Sequence, residues 1–268
     1  MKKLHRVLTL ALFLLGVQLS SQDVNDPKPA LRSLNQNAFK VGEYLKYRIH
    51  YGLINAGEAE LRVKSVTSRQ DRPVFHIEGK GRSVGMAEVF FKTRDTYTTY
   101  LDTESIIPHE FIRDVNEGGY IIKRHLFFDH TNRTAIDKEV ANKVYDVPAF
   151  AQDMLSAFYY ARSYDASKLK KGSSIPISIF LDHETFDFKL KYLGTETLKT
   201  KWGKIDCLKF QPLVQSGRVF KEKEGITLWV SNDQNKIPVR MQAELAVGSI
   251  KMDLSEYSNT IVPVVFKK

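Results

Sequence analysis

A period of two limits how this chain can fold more than any other feature. From Phe39 onward, apolar and polar residues alternate in run after run, the signature of half-buried β-strands. In YLKYRIHY, Leu45, Tyr47, Ile49 and Tyr51 share one face, while Lys46, Arg48 and His50 share the other. EAELRVK repeats the pattern, with Ala59, Leu61 and Val63 set against Glu58, Glu60, Arg62 and Lys64. Gly52 and Gly57 bracket the connection, where backbone freedom is useful. A one-residue slip would turn the apolar groups outward, so only face-matching registers survive, and these set Arg48 opposite Glu58 or Glu60. A cross-strand pair of this kind contributes roughly 0.2–1 kcal/mol and accounts for the charges without a ligand.

The alternation continues through PVFHIEG, AEVFFKTRDTYTTYLD, HEFIRDV and YIIKRHLFFDH, and resumes from SIPISIFLD to SIKMDLSEYS. Short polar or glycine-bearing links such as DHET, WGK, SNDQNK and VGS suit antiparallel hairpins. One segment departs from the rule. AFAQDMLSAFYYARSY places Ala151, Met154, Leu155, Phe158 and Ala161 at helical spacing after Pro148. The predicted fold is mainly β: a large antiparallel curved sheet or open barrel, with a two-sheet sandwich as the alternative, and one amphipathic helix packed against it.

The chain opens with a basic stretch (Lys2, Lys3, Arg6), an apolar run from Leu8 to Val17 and small residues at Ser20 and Ser21. This is the order of a secretory signal peptide; the run is too short to span a bilayer comfortably, so a retained anchor is the lesser reading. The expected organisation is a signal peptide over 1–21, cleaved near Ser21, a loose leader over 22–38, one β domain over 39–259 with its helix near 149–164, and a tail over 260–268. Residues 1–21 contain no acid, so cleavage lowers the formal charge from +9 to +6. A mildly basic exported protein, expected in the periplasm with no transmembrane anchor after cleavage, can meet anionic envelope components but not nucleic acid. Cys207 is the only cysteine, so no internal disulfide forms, and its place in the alternating run IDCLKF predicts a buried strand residue.

Candidate sites are sparse. Asp182, His183 and Glu184, with Asp129 and His130, are residue types that bind metal or move protons. Neighbours on a strand face opposite ways, and DHET also reads as a solvated hairpin tip. A second set is Arg94, Asp95, Tyr97, Arg113 and Tyr120, which would form a polar, aromatic patch for an anionic headgroup at a barrel mouth. Pairing of FFKTRDTYTTYL with HEFIRDV sets Arg113 near Asp95 or Tyr97, where an ion pair is the simpler explanation. GxSxG elbows, paired HxxxH ligands and phosphate-cradling glycine loops are absent from the sequence, no catalytic residue is assigned and no cofactor is expected.

Several phrases, taken in order, carry a family resemblance. VGEYLKYRIHYGLINAGEAELRV, RDTYTTYLDTESIIPHEFIRDVNEGGY, DMLSAFYYARSY and ITLWVSNDQNKIPVRMQAELAVGSIKMDLSEY resemble the exported bacterial family of domain of unknown function 3108, over about residues 39–257. The resemblance implies an exported, antiparallel β protein without an established role, and an open barrel similar to the periplasmic lipoprotein carriers. The function expected is non-enzymatic binding or shielding of an apolar envelope ligand, such as a lipid or a lipoprotein acyl chain. The alternatives are a hydrolase or metal enzyme built on the Asp/His/Glu residues, and a scaffold recognised by an envelope protein through exposed strand edges.

Overall fold

The computed structural model describes residues 31–214 and 225–268. The signal peptide, its cleavage site and the start of the leader lie outside the described residues.

Among the described residues, fourteen strands form one antiparallel sheet: β1 (Tyr44–Tyr51), β2 (Ile54–Arg69), β3 (Arg72–Ser83), β4 (Thr93–Asp102), β5 (Pro108–Glu117), β6 (Tyr120–Asp129), β7 (Thr134–Asp137), β8 (Lys143–Asp146), β9 (Ser174–Leu181), β10 (Glu184–Thr200), β11 (Gly203–Val214), β12 (Ile226–Ser231), β13 (Pro238–Glu244) and β14 (Ser249–Ser258). The spatial order is β8 to β1, then β14 to β9, so two meanders are joined by the pairing of the first strand with the last. Helix α1 (Gly85–Phe90) links β3 to β4, and α2 (Met154–Arg162) lies between the two meanders in sequence. In the first hairpin Arg48 does stand opposite Glu58, but Glu58 is engaged by Lys46 at 3.4 Å and Arg82 at 2.5 Å instead.

Laid flat, strands at a spacing of ~4.8 Å would hold β8 and β9 about 60 Å apart. Instead Tyr145 of β8 and Phe180 of β9 lie 5.8 Å apart between ring centroids, so the sheet is rolled until its ends meet. The two end strands do not pair with each other. Several contacts bridge the seam. Gln152 forms a parallel bridge with β9, donating its amide to Ser178 and accepting from the amide of Phe180, both at 2.8 Å. Asp182 and His183 form the two-residue β9–β10 turn with φ of +49° and +68°, as a type I′ hairpin requires. That tip reaches across the gap: His183 Nε2 lies 2.7 Å from Asp137 and stacks on Tyr145 at 4.4 Å, while Arg113 donates to Asp182 at 3.0 Å. The DHET hairpin tip, with Asp182 and Glu184 exposed, thus also acts as a latch.

Helix α2 starts at a capping box. The buried Asp153 carboxylate accepts from the amides of Leu155 (2.7 Å) and Ser156 (2.8 Å) and from Thr99 Oγ1 of β4 (2.7 Å). Ser156 returns the bond, its Oγ accepting from the Asp153 amide at 2.8 Å. The cap at once terminates orphan amides and ties the helix to the first meander.

Two terminal segments expected to be loose or peripheral are docked. Phe39 is buried edge-on against Tyr159 (4.7 Å) and Phe75 (5.3 Å), and Arg32 lies between the rings of Phe150 and Tyr160. Buried Ala38 and half-buried Leu34 join the same core, so the leader is docked from Arg32 onward. At the other end, Lys267 pairs with Lys204, and Val264 and Phe266 cover Leu198, Ile205, Cys207, Trp229 and Val239 on the sheet face away from α2. AEVFF, expected to open a strand, contains most of α1 instead, and its Val89 and Phe90 are largely exposed. Among the described residues, no helix is long and apolar enough to cross a membrane.

Candidate functional site

Strand parity sends Leu208 and Phe210 of β11 toward α2 while Cys207 faces the C-terminal segment. The same alternation in β9, β10 and β12 turns Ile177, Leu190 and Val230 toward the helix. On the helix, Ala157 and Ala161 stand one turn apart and meet this wall of large side chains with methyl groups only. The result is a cavity of about 240 Å³ between α2 and the second meander. Among the described residues, its only charged lining groups are Arg162 and Lys236.

Arg162 is already committed. Its guanidinium is buried and grips Glu43 at 2.6 and 2.7 Å, and it donates to the carbonyls of Ala38 (3.0 Å) and Asn235 (2.9 and 3.2 Å). Five contacts engage all three nitrogens, so the group joins the leader, the helix and the β12–β13 turn and is committed to a structural role. Burial opposes its charge, but Glu43 outweighs that and holds the pKa above the ordinary value. Nearby, Tyr47 and Tyr159 have buried hydroxyls with no hydrogen-bond partner among the described residues, and burial pushes both phenols up.

The polar set proposed from sequence is divided. Asp95 and Tyr97 of β4 share the α2-facing side with Arg113, which stands opposite Tyr97 in the ladder. Arg94 points the other way and pairs with Glu88 of α1, and Tyr120 is 67% exposed at the β5–β6 turn. Arg113 takes Asp182 as its hydrogen-bond partner, leaving Asp95 to accept from the Asn116 amide at 3.2 Å. Burial pushes the Asp95 carboxyl up. None of the five lines the apolar cavity.

The Asp/His/Glu set is likewise dispersed. His130 is buried and stacked on Phe128, and its Nε2 donates to the Pro108 carbonyl at 2.7 Å; burial lowers its pKa to about 4. Asp129 accepts from the amide and side chain of Asn132, closing a local turn. Asp182 and His183 serve the latch, and Glu184 pairs in the ladder with Leu181. Among the described residues no group of three or more His, Cys, Asp or Glu side chains is placed to hold a metal ion. Burial pushes the Cys207 thiol up to about 12, which suits a packed side chain and not a nucleophile.

A polar cluster that the sequence did not suggest lies around Asp102. Burial opposes its ionisation, but His109 Nε2 (3.0 Å), Arg72, and the amides of Ser105 (2.7 Å) and Glu104 (2.9 Å) hold the carboxyl well below the usual range. His109 Nδ1 meets Gln70 Oε1 at 3.0 Å, so both ring nitrogens are occupied and the cluster braces the β4–β5 turn.

No curated protein matches the chain. Among solved structures, the chain is similar to a β-barrel-like protein of domain of unknown function DUF1849 from Brucella abortus, at 10% identity and a TM-score of 0.52, over 81% of this chain and 97% of that one. This likeness shows the fold alone. A protein provisionally described as exported, with a YmcC-like fold, from Bacteroides fragilis aligns over 85% of this chain and all of that one, with 11% identity and a TM-score of 0.31. At the level of sequence, the profile described as protein of unknown function (DUF3108) matches residues 46–255, and the chain belongs to that family.

Proposed function

We propose that this is an exported, non-enzymatic protein that binds or shields an apolar ligand, an acyl chain of an envelope lipid or lipoprotein, inside its rolled sheet. The observation that carries the reading is the cavity under α2, with its nearly unbroken apolar lining of strand side chains and helix alanines. Apolar hollows with a few polar groups at the margin are the usual form of small-molecule sites. An engineered cavity of ~150 Å³ lined by Leu, Ile and Phe takes up benzene, so one of this size has room for about ten carbons. The basic and apolar N-terminal run supports delivery to the periplasm.

Native mass spectrometry of gently purified protein tests the proposal, with a lipid-sized adduct as the expected result. Ala161→Phe fills the cavity from the helix side and is expected to remove the adduct while the circular dichroism spectrum stays unchanged. Protein that carries no adduct and takes up no added decan-1-ol would overturn the proposal.

A further inference from the structure

A second hollow adjoins the apolar cavity and differs from it in character. It measures about 520 Å³ and is lined by polar groups of the leader (Ser33, Asn35, Asn37) and of the chain just after α2 (Ser163, Asp165, Lys168). Lys236 and Tyr164 line both hollows, and so stand where the apolar space gives way to the polar one.

Lys236 is held at that junction by a rigid turn. Its backbone is in the left-handed region at φ +47°, and its amide donates to Asp233 Oδ1 at 3.1 Å. Asp233 also accepts from Ser231 Oγ (2.7 Å) and Asn235 Nδ2 (3.2 Å), and Asn235 is tied to Val262 through both ends of its amide. The ammonium itself makes no hydrogen bond or ion pair with any described residue. The acids that face it are engaged elsewhere: Asp165 with Ser167 and Lys168, Asp233 within its turn. The other nearby cations are paired, Arg162 with Glu43 and Lys168 with Asp165. Burial lowers the Lys236 pKa and outweighs the opposing pull of Asp165 and Asp233.

We infer that the ligand, on the reading proposed above, is a single-chain amphiphile with an anionic head. Its chain lies under α2 and its carboxylate or phosphate rests on the Lys236 ammonium. The polar hollow then holds the rest of the head and its water, and the preorganised turn removes part of the ordering cost of binding.

Titration calorimetry on the full chain with decanoate, decyl phosphate, decan-1-ol and decyltrimethylammonium separates the two levels of the argument. One charge-assisted hydrogen bond makes the two anions bind about tenfold more tightly than the alcohol, with the cation weakest. Lys236→Met is expected to remove the anion advantage and leave decan-1-ol unchanged; Lys236→Arg is expected to restore the advantage. Equal affinity for decanoate and decan-1-ol in the unaltered protein, or a Lys236→Met variant that keeps the preference, would overturn the head-group assignment alone. Failure of all four probes to bind would instead remove the cavity reading on which it rests.

Discussion

Replacing Arg162 with Met keeps most of the side-chain bulk but leaves Glu43, at 1% exposure, as a buried carboxylate without its cation. It also strips the donor from the Ala38 and Asn235 carbonyls. Breaking a buried pair from one side costs about 3–5 kcal/mol. At about 2–4 °C per kcal/mol for a domain of this size, the melting temperature should fall by about 6–20 °C. Removing both charges, as Arg162→Met with Glu43→Met, deletes the desolvation penalty as well as the attraction, so it should cost less than the two single changes together. It should not return fully to the original stability, because each unpaired carbonyl still costs about 1–3 kcal/mol. Urea unfolding followed by far-UV circular dichroism measures all four proteins. An Arg162→Met variant within about 1 kcal/mol of the parent, or a double variant whose loss equals the sum of the singles, would refute the claim that this pair is desolvated and coupled.

Two further outcomes follow from buried groups. The folded pKa of Asp153, raised by burial to about 6, lies above its unfolded value near ~3.9, so its stability contribution is complete below about pH 4 and lost as pH rises through 6. Asn caps a helix as well as Asp, so Asp153→Asn should gain on the parent by up to about 3 kcal/mol between pH 4 and pH 7; a constant difference across urea titrations at those pH values would contradict this. Cys207, sealed beneath the C-terminal segment, should resist an aromatic disulfide reagent in the native protein and react at once in urea. Prompt native labelling would mean that Val264 and Phe266 do not cover it.

How far the sequence disclosed these features depended on the range of the interaction. Alternation in YLKYRIHY and EAELRVK was enough to set Arg48 opposite Glu58, because the register of a hairpin is a local matter. The same reasoning identified the mainly β, antiparallel, curved and open sheet. It missed β7 and β8, whose four residues are too few to show a period, and it took AEVFF for strand where Gly85 at φ +58° admits a helical turn. The capping pair Asp153 and Ser156 went unread, because Ser at the third helical position is not the usual Glu or Gln. The partnerships of Arg162 with Glu43 and of His183 with Asp137 were not legible, since chain separation carries no information about which buried charges meet. Nor did residue types reveal the cavity: Ala157 and Ala161 read as ordinary helix formers until the large strand residues opposite them were in place.

The pairing of Tyr44 with Ser258 has a consequence for the order in which the molecule can assemble. Within each meander every strand pairs with its neighbour in sequence, so those ladders can form from local contacts. The first strand, by contrast, must wait with one edge bare until the last has arrived, and only then do the two halves become a single wall. A chain lacking residues 249–258 would leave both halves with an unmatched margin.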